Sequence, residues 1–208
     1  NTPPYETDCF YLAGSNTILM HAGTLLDFDN GDDIAYLFAT LGRTLGHEMT
    51  HAFDMVGGNY DEQGRKIGGI KKLFSGLAFS ETNWDLVYNQ LIDQFNQYSL
   101  YDSLFVDGKI TLQENFADLG GVEVSLLALE KYMDDKQSNI SEEAKNKYLK
   151  HYFVFYARFW KEKATQAFKI AAMKRIHTPQ KFRVIGPLYN IDLFYEVFNI
   201  DSRSVYYI

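Results

Sequence analysis

The sequence predicts an α+β protein that is mostly α-helical, with a small β-sheet near its N-terminus. Three observations carry that reading. Apolar residues recur at helical spacing at Ile34, Leu37, Phe38, Leu41 and Leu45. Three further stretches, beginning near Glu81, Thr111 and Ser141, are long enough for helices of four or more turns. Before all of these, two short apolar runs flank the turn-forming Ala13-Gly14-Ser15-Asn16.

The strands are expected at 9–13 and 17–22. The first helix should start near Asp32 or Asp33, whose carboxylates suit a helix N-terminus, and stop at Gly57-Gly58. Residues 59–76 are rich in glycine and read as irregular or weakly extended. Helices follow at about 81–98 and 111–133. Another runs from Ser141 through Tyr152-Phe153-Val154-Phe155-Tyr156 to about Lys163, with room to extend to Lys174 before Thr178-Pro179 ends it. A short last helix covers about Asp192 to Phe198. No repeat or low-complexity linker divides the chain, and 208 residues suit one domain with a sizeable core.

Composition narrows the function classes. With 46% hydrophobic and 23% charged residues the chain belongs to the soluble globular class. Aromatic residues reach 16%, enough for an aromatic core or an aromatic-lined cleft. The net charge of −7, without a basic stripe, argues against a nucleic-acid partner. No window holds the roughly 18 uninterrupted apolar residues of a membrane span, and no signal peptide is visible. The start at Asn1 rather than Met reads as a fragment or a processed form. Cys9 is the one cysteine, so no disulfide forms within the chain. That suits a cytoplasmic protein or an extracellular one that does without disulfides. Asn139-Ile140-Ser141 is a glycosylation tripeptide of the kind that recurs by chance.

The sharpest signal is His47-Glu48-Met49-Thr50-His51. On a helix, positions i and i+4 share a face, about 6 Å apart, so two imidazoles can converge on one ion. Zinc takes such nitrogen ligands in a tetrahedral site. Glu48 would lie beside the metal and accept a proton from bound water. The bland alternative is a surface helix that happens to hold two histidines. A catalytic zinc also needs a third protein ligand and an open position. Glu114 is the candidate, with Asp118 one turn on and able to fix the tautomer of a ligand imidazole. Against this, Thr111-Leu112-Gln113-Glu114 also reads as a capping box, with Glu114 bonding back to the backbone. Asp54 shares the face of His47 and His51 and is a second orienting candidate; otherwise it is an exposed acid at a helix end. His177 and Arg183 could stabilise an oxyanion and grip a substrate carbonyl. His21 and His151 have no motif around them and read as structural.

These runs resemble the C-terminal part of the catalytic domain of the neprilysin-like zinc endopeptidases, a family with the endothelin-converting enzymes and bacterial oligopeptidases. The matching segments are Gly46 to Asp54, Gly108 to Gly121, and His177-Thr178-Pro179 with Phe182 to Gly186 and Asn190. Weaker matches are Asn16-Thr17-Ile18, Ala22-Gly23 and Trp160. The resemblance implies a thermolysin-like zincin fold, one zinc held by His47, His51 and Glu114, and Glu48 as base. It also implies Asp118 behind a ligand, His177 as oxyanion stabiliser and Arg183 as a substrate-backbone contact. Residues 1–208 would be the C-terminal portion of the catalytic domain, without the large helical lobe that precedes it in the family. The chain departs from the pattern in places. Asp8-Cys9 stand where the family has Asn-Ala on the substrate-binding edge strand. Arg175 stands where an acid precedes the oxyanion histidine and should disfavour a protonated His177. Gln90, Lys161 and Ile200 replace the cysteines of animal members, which looks more like the bacterial branch.

The expected function is therefore a zinc-dependent endopeptidase that hydrolyses oligopeptides by attack of a zinc-bound water, with Glu48 as general base. The alternative is a non-catalytic peptide-binding or regulatory module that retains the zinc site. A closed structural site would need a fourth protein ligand, and no His or Cys stands at plausible spacing. Peptide is the expected partner, together with self-association or a separate partner supplying the other lobe, since large apolar faces are rarely left bare.

Overall fold

The computed structural model describes residues 5–26, 33–69, 81–101, 103–136 and 140–201. Strands β1 (Cys9–Leu12) and β2 (Thr17–Met20) form an antiparallel pair in the register Cys9 opposite Met20 and Leu12 opposite Thr17. Asn16, at φ 46°, closes the turn between them, a conformation that asparagine tolerates better than most residues. The short helix α1 (Ala22–Leu26) follows.

The first long helix is built in segments. Asp33 caps α2 (Ile34–Leu37) by accepting from the Ala35 and Tyr36 N–H groups. Phe38–Gly42 is a π turn, and α3 (Arg43–Thr50) continues the same rod. The helix tightens over His51–Phe53 and ends there, ahead of Gly57-Gly58. The stop is made by Asp54, whose Oδ1 accepts from the Val56 and Gly57 N–H groups at 2.6 and 2.8 Å.

Helix α4 (Glu81–Asn96) leads into a hairpin of β3 (Ser99–Leu100) and β4 (Leu104–Phe105), which sequence reasoning did not foresee. Helix α5 (Leu112–Lys136) is the axis of the molecule. One side packs Val122, Leu126, Leu129 and Met133 against Ala35, Ala39 and the aromatic run of α6 (Glu142–Phe159). Its first turn joins a second core with Leu91, Phe95 and Phe182. The helix expected to run on to Lys163 or Lys174 breaks at Trp160, and α7 (Gln166–Ala172) starts afresh under a Thr165 cap. Helix α8 (Gln180–Leu188) was not anticipated, and α9 (Asp192–Phe198) closes the described chain.

Helices α3 and α5 cross in close backbone contact. A Cβ on Gly46 would lie 3.1 Å from the Gly121 carbonyl oxygen, and one on Gly121 only 2.8 Å from that of Arg43. Glycine at both positions lets the backbones touch, and that contact brings the His47 and Glu114 turns together. Among the described residues no helix is long and apolar enough to cross a membrane. The tripeptide residue Asn139 and positions 70–76 lie outside the described residues.

Candidate metal centre

Helix α3 carries His47 and Glu48, with His51 in the tightened turn at its end, and α5 carries Glu114 and Asp118. His47 Nε2 and His51 Nε2 are 3.1 Å apart. Glu114 Oε2 lies 3.4 Å from the first and 3.9 Å from the second. Each imidazole is fixed from behind: His47 Nδ1 is 2.9 Å from Asp118 Oδ1, and His51 Nδ1 is 2.8 Å from Asp54 Oδ2. An ionised carboxylate only accepts, so each Nδ1 carries the proton. In the neutral rings both Nε2 lone pairs then face one another and the Glu114 oxygen.

Three electron-rich atoms so arranged repel unless a cation or protons lie between them. Ligands about 2.0–2.1 Å from zinc sit roughly 3.3 Å apart in a tetrahedron, close to the spacing seen here. His47, His51 and Glu114 are the metal-type cluster among the described residues. Glu114 Oε2 is buried and accepts no well-directed hydrogen bond, although His177 Nε2 stands off-axis at 2.9 Å. The residues present therefore fit a divalent cation.

The capping-box reading of Glu114 fails. Thr111 is buried, donates from Oγ1 to the Asp107 carbonyl and accepts from Asn115 Nδ2, while Glu114 turns toward the imidazoles. Asp54 is likewise buried, not an exposed terminal acid.

Electrostatics separate the carboxylates. Burial pushes the Glu48 carboxyl above its ordinary value, against the pull of both imidazoles and a hydrogen bond from the Tyr11 backbone N–H. Burial opposes ionisation of Asp118 too, yet the Arg183 charge and hydrogen bonds from His47 and Arg183 hold it well below the usual carboxylate range. For Glu114 burial is again overcome, by His177 and His47. Burial disfavours charge on His47, but its bond to Asp118 and the nearby Glu114 carboxylate outweigh that and raise its pKa. A divalent cation supplies the same compensation.

The cluster opens into a cleft of about 390 Å³, walled by Asp8, Cys9, Tyr11, Glu48, Gln113 and His177 among others. Asp8 and Cys9 stand on the β1 side of it, where Asp8 Oδ1 accepts the Cys9 N–H at 2.9 Å. His177 is half exposed. Arg175 lies over the Phe168 ring at 5.2 Å. Arg183 does not line the cleft: its Nε and Nη2 bond Asp118 at 2.7 and 2.6 Å, and its guanidinium stacks 4.0 Å from the Trp160 centroid. His21 is buried with its ring against Phe10, and His151 faces Asp33 at 3.6 Å. A second cavity of about 310 Å³, with Glu130, Asp134, Glu142 and Glu196, holds Lys145 paired to Asp134.

Sequence reasoning missed Arg43, which lies one turn before His47 on the same helix face and is buried with its Nη1 3.9 Å from Asp118 Oδ1. The i, i+4 spacing to His47 was the signal. It also missed Tyr11 and Gln113 on the cleft wall.

A helical body, a small sheet and a cluster shared by two crossing helices make the zincin architecture, the class of many metallopeptidases. The chain belongs to peptidase family M13, whose model matches residues 8–208. It is 32% identical to neprilysin-11 of Caenorhabditis elegans over 97% of its length, and 33% identical to an endothelin-converting enzyme homolog of Locusta migratoria over 93%. It spans about a quarter of the length of these curated relatives, 24% and 26%. Among solved structures it is similar to the zinc metalloprotease Zmp1 of Mycobacterium tuberculosis, in complex with inhibitor. There the TM-score is 0.81 at 26% identity, over 96% of this chain and 31% of that one. PepO of Lactobacillus rhamnosis gives a TM-score of 0.77 at 26% identity, over 98% of this chain and 30% of that one.

Proposed function

We propose that the chain carries the metal centre of a zinc-dependent endopeptidase acting on oligopeptides, with His47, His51 and Glu114 as ligands. The observation that carries this reading is the convergence of two Nε2 lone pairs and one carboxylate oxygen beside a buried Glu48. A zinc ion held there supplies Lewis-acid chemistry, lowering the pKa of water and polarising a carbonyl oxygen.

The chain's own groups do the rest. Burial raises the proton affinity of Glu48, which suits a base that takes a proton from the attacking water and returns it to the leaving amine. His177, half exposed beside Glu114, donates to the oxyanion. Asp118 and Asp54 keep the imidazoles in the Nδ1–H tautomer. Asp8 and Cys9 line the path of a substrate backbone. Arg183 serves chiefly by holding Asp118, and reaches a substrate carbonyl only if that pairing is shared.

Replacing Glu48 with Gln is the test. Zinc content should stay at one per chain while peptide cleavage is abolished, because an amide cannot accept the water's proton. Full cleavage by Glu48→Gln would overturn the mechanism. His177→Ala should keep zinc and lower kcat by roughly 10²–10³. The buried base argues against a module that merely binds peptides, since binding alone has no use for Glu48.

The match to a quarter of the relatives' length supports reading residues 1–208 as one portion of a larger catalytic domain, which we take as its C-terminal portion. The isolated chain should then self-associate or bind a partner supplying the other lobe. Light scattering reads this directly, and a strictly monomeric chain with full activity on short peptides would refute it.

A further inference from the structure

Asp118 carries one negative charge and faces two guanidiniums. Its carboxylate is already matched by Arg183, which bonds both oxygens. Arg43 adds a second buried guanidinium, 3.9 Å from Asp118 Oδ1 and outside hydrogen-bond range. The Arg43 side chain is otherwise held by aromatic faces, with Cζ 4.6 Å from the Trp160 centroid and 4.9 Å from that of Phe159. Its Nε is buried without a partner. Burying a cation this way is costly, and an apolar side chain of similar volume would fill the same space at no such cost. The packing alone does not require the charge.

Asp118 is the group behind His47. A carboxylate hydrogen-bonded to a ligand imidazole makes that imidazole a stronger donor to a metal. A second cation on the same carboxylate subtracts from that effect. It also adds positive potential in the interior, where neither water nor salt screens it well. Arg43 sits one turn from His47 on the same helix, so its charge acts on the site at short range.

We propose that Arg43 is a positioning residue of the metal centre whose charge, acting through Asp118, weakens the site's hold on a divalent cation. The inference rests on the metal-site reading above. An ion bound less tightly draws more electron density from its remaining partners, so the same charge favours polarisation of what binds the open position.

The experiment measures the zinc dissociation constant of the 208-residue chain by competition with a chromophoric chelator. The same measurement is made on Arg43→Met and Arg43→Lys, and the visible spectrum of bound cobalt checks the ligand set. Arg43→Met should bind zinc roughly tenfold or more tightly, the scale of changes behind a ligand. Arg43→Lys, which keeps the charge, should stay near the unaltered value with the same cobalt spectrum. Unchanged or weaker binding by Arg43→Met overturns the proposal, as does an equal shift in both variants. If Arg43→Met does not fold, Arg43→Gln removes the charge and carries the same expectation. Failure of the unaltered chain to bind zinc, or binding that survives His47→Ala, would sink the metal-site reading and this inference with it. Zinc binding that ignores Arg43 sinks only the inference.

Discussion

The floor and the rim of the cleft are built on different principles. The floor is two helices in backbone contact, with Asp118 and Asp54 buried and each bonded to an imidazole of the cluster. The rim is a two-stranded ribbon on one side and, on the other, the segment between α7 and α8 that carries His177. Its polar groups are mostly exposed, and Asp8 spends one carboxylate oxygen on its own neighbour's N–H. The floor is over-determined and should fail as a unit. The rim is under-determined and should tolerate change while altering what is bound.

Substitutions on either side test that contrast. The largest effect should come from Asp118→Ala, which leaves Arg183, Arg43 and His47 buried around a missing anion. Losing one partner of a buried ion pair costs about 3–5 kcal/mol, measurable by urea unfolding of the metal-free chain. Acid should approach the same state by another route. The Asp118 pKa is depressed in the fold, so its stabilisation is complete above the unfolded value near 3.9 and is lost as pH falls through the folded value. Wild type should lose stability on acidification below pH 4 more steeply than Asp118→Ala.

Next in size is Gly121→Ala. Its methyl would press on the Arg43 carbonyl and push α3 from α5, costing about 1–3 kcal/mol as overpacking does. Zinc affinity should fall with it, because the imidazoles and Glu114 come from different helices. Asp54→Ala removes two backbone caps and the His51 partner, for about 1–2 kcal/mol. On the rim, Asp8→Asn should change stability by less than about 0.5 kcal/mol. If it costs as much as the floor variants, the contrast is wrong. Cys9 provides the finest test. Burial, with Glu48 and Asp8 nearby, pushes its thiol to about 12, so alkylation near pH 8 should be slow and should quicken in Asp8→Asn.

The His47 and His51 half of the floor was legible in the sequence because its chemistry is local. A helix period places His47 with His51, and Asp33 caps where an acid before an apolar stripe should. What escaped was set by tertiary contact. Nothing in Lys161-Glu162-Lys163-Ala164 punctuates a helix, yet the chain leaves helical form at Trp160, whose ring is occupied by two arginines. Helix α8 escaped because it is flanked and closed by Pro179, Gly186 and Pro187, residues that ordinarily interrupt a helix. Pro179 in fact precedes the first turn, and Gly186 and Pro187 fall in the last. The choice between capping box and ligand at Glu114 depended on a helix more than sixty residues away.

The π turn at Phe38–Gly42 has its own bearing on how this chain can change. An α-helix advances about 100° per residue, so a straight rod ties every side chain to one phase. The wider turn breaks that tie. Upstream, Tyr36 meets Phe155 at 5.3 Å, while downstream Arg43 and His47 turn toward Asp118. The two halves keep separate clocks, like hands set on one spindle with a slipped tooth between them. Deleting one residue there would restore a single period and swing the upstream face through about a quarter turn. The end that carries His47 would keep its phase while the far end lost its seat.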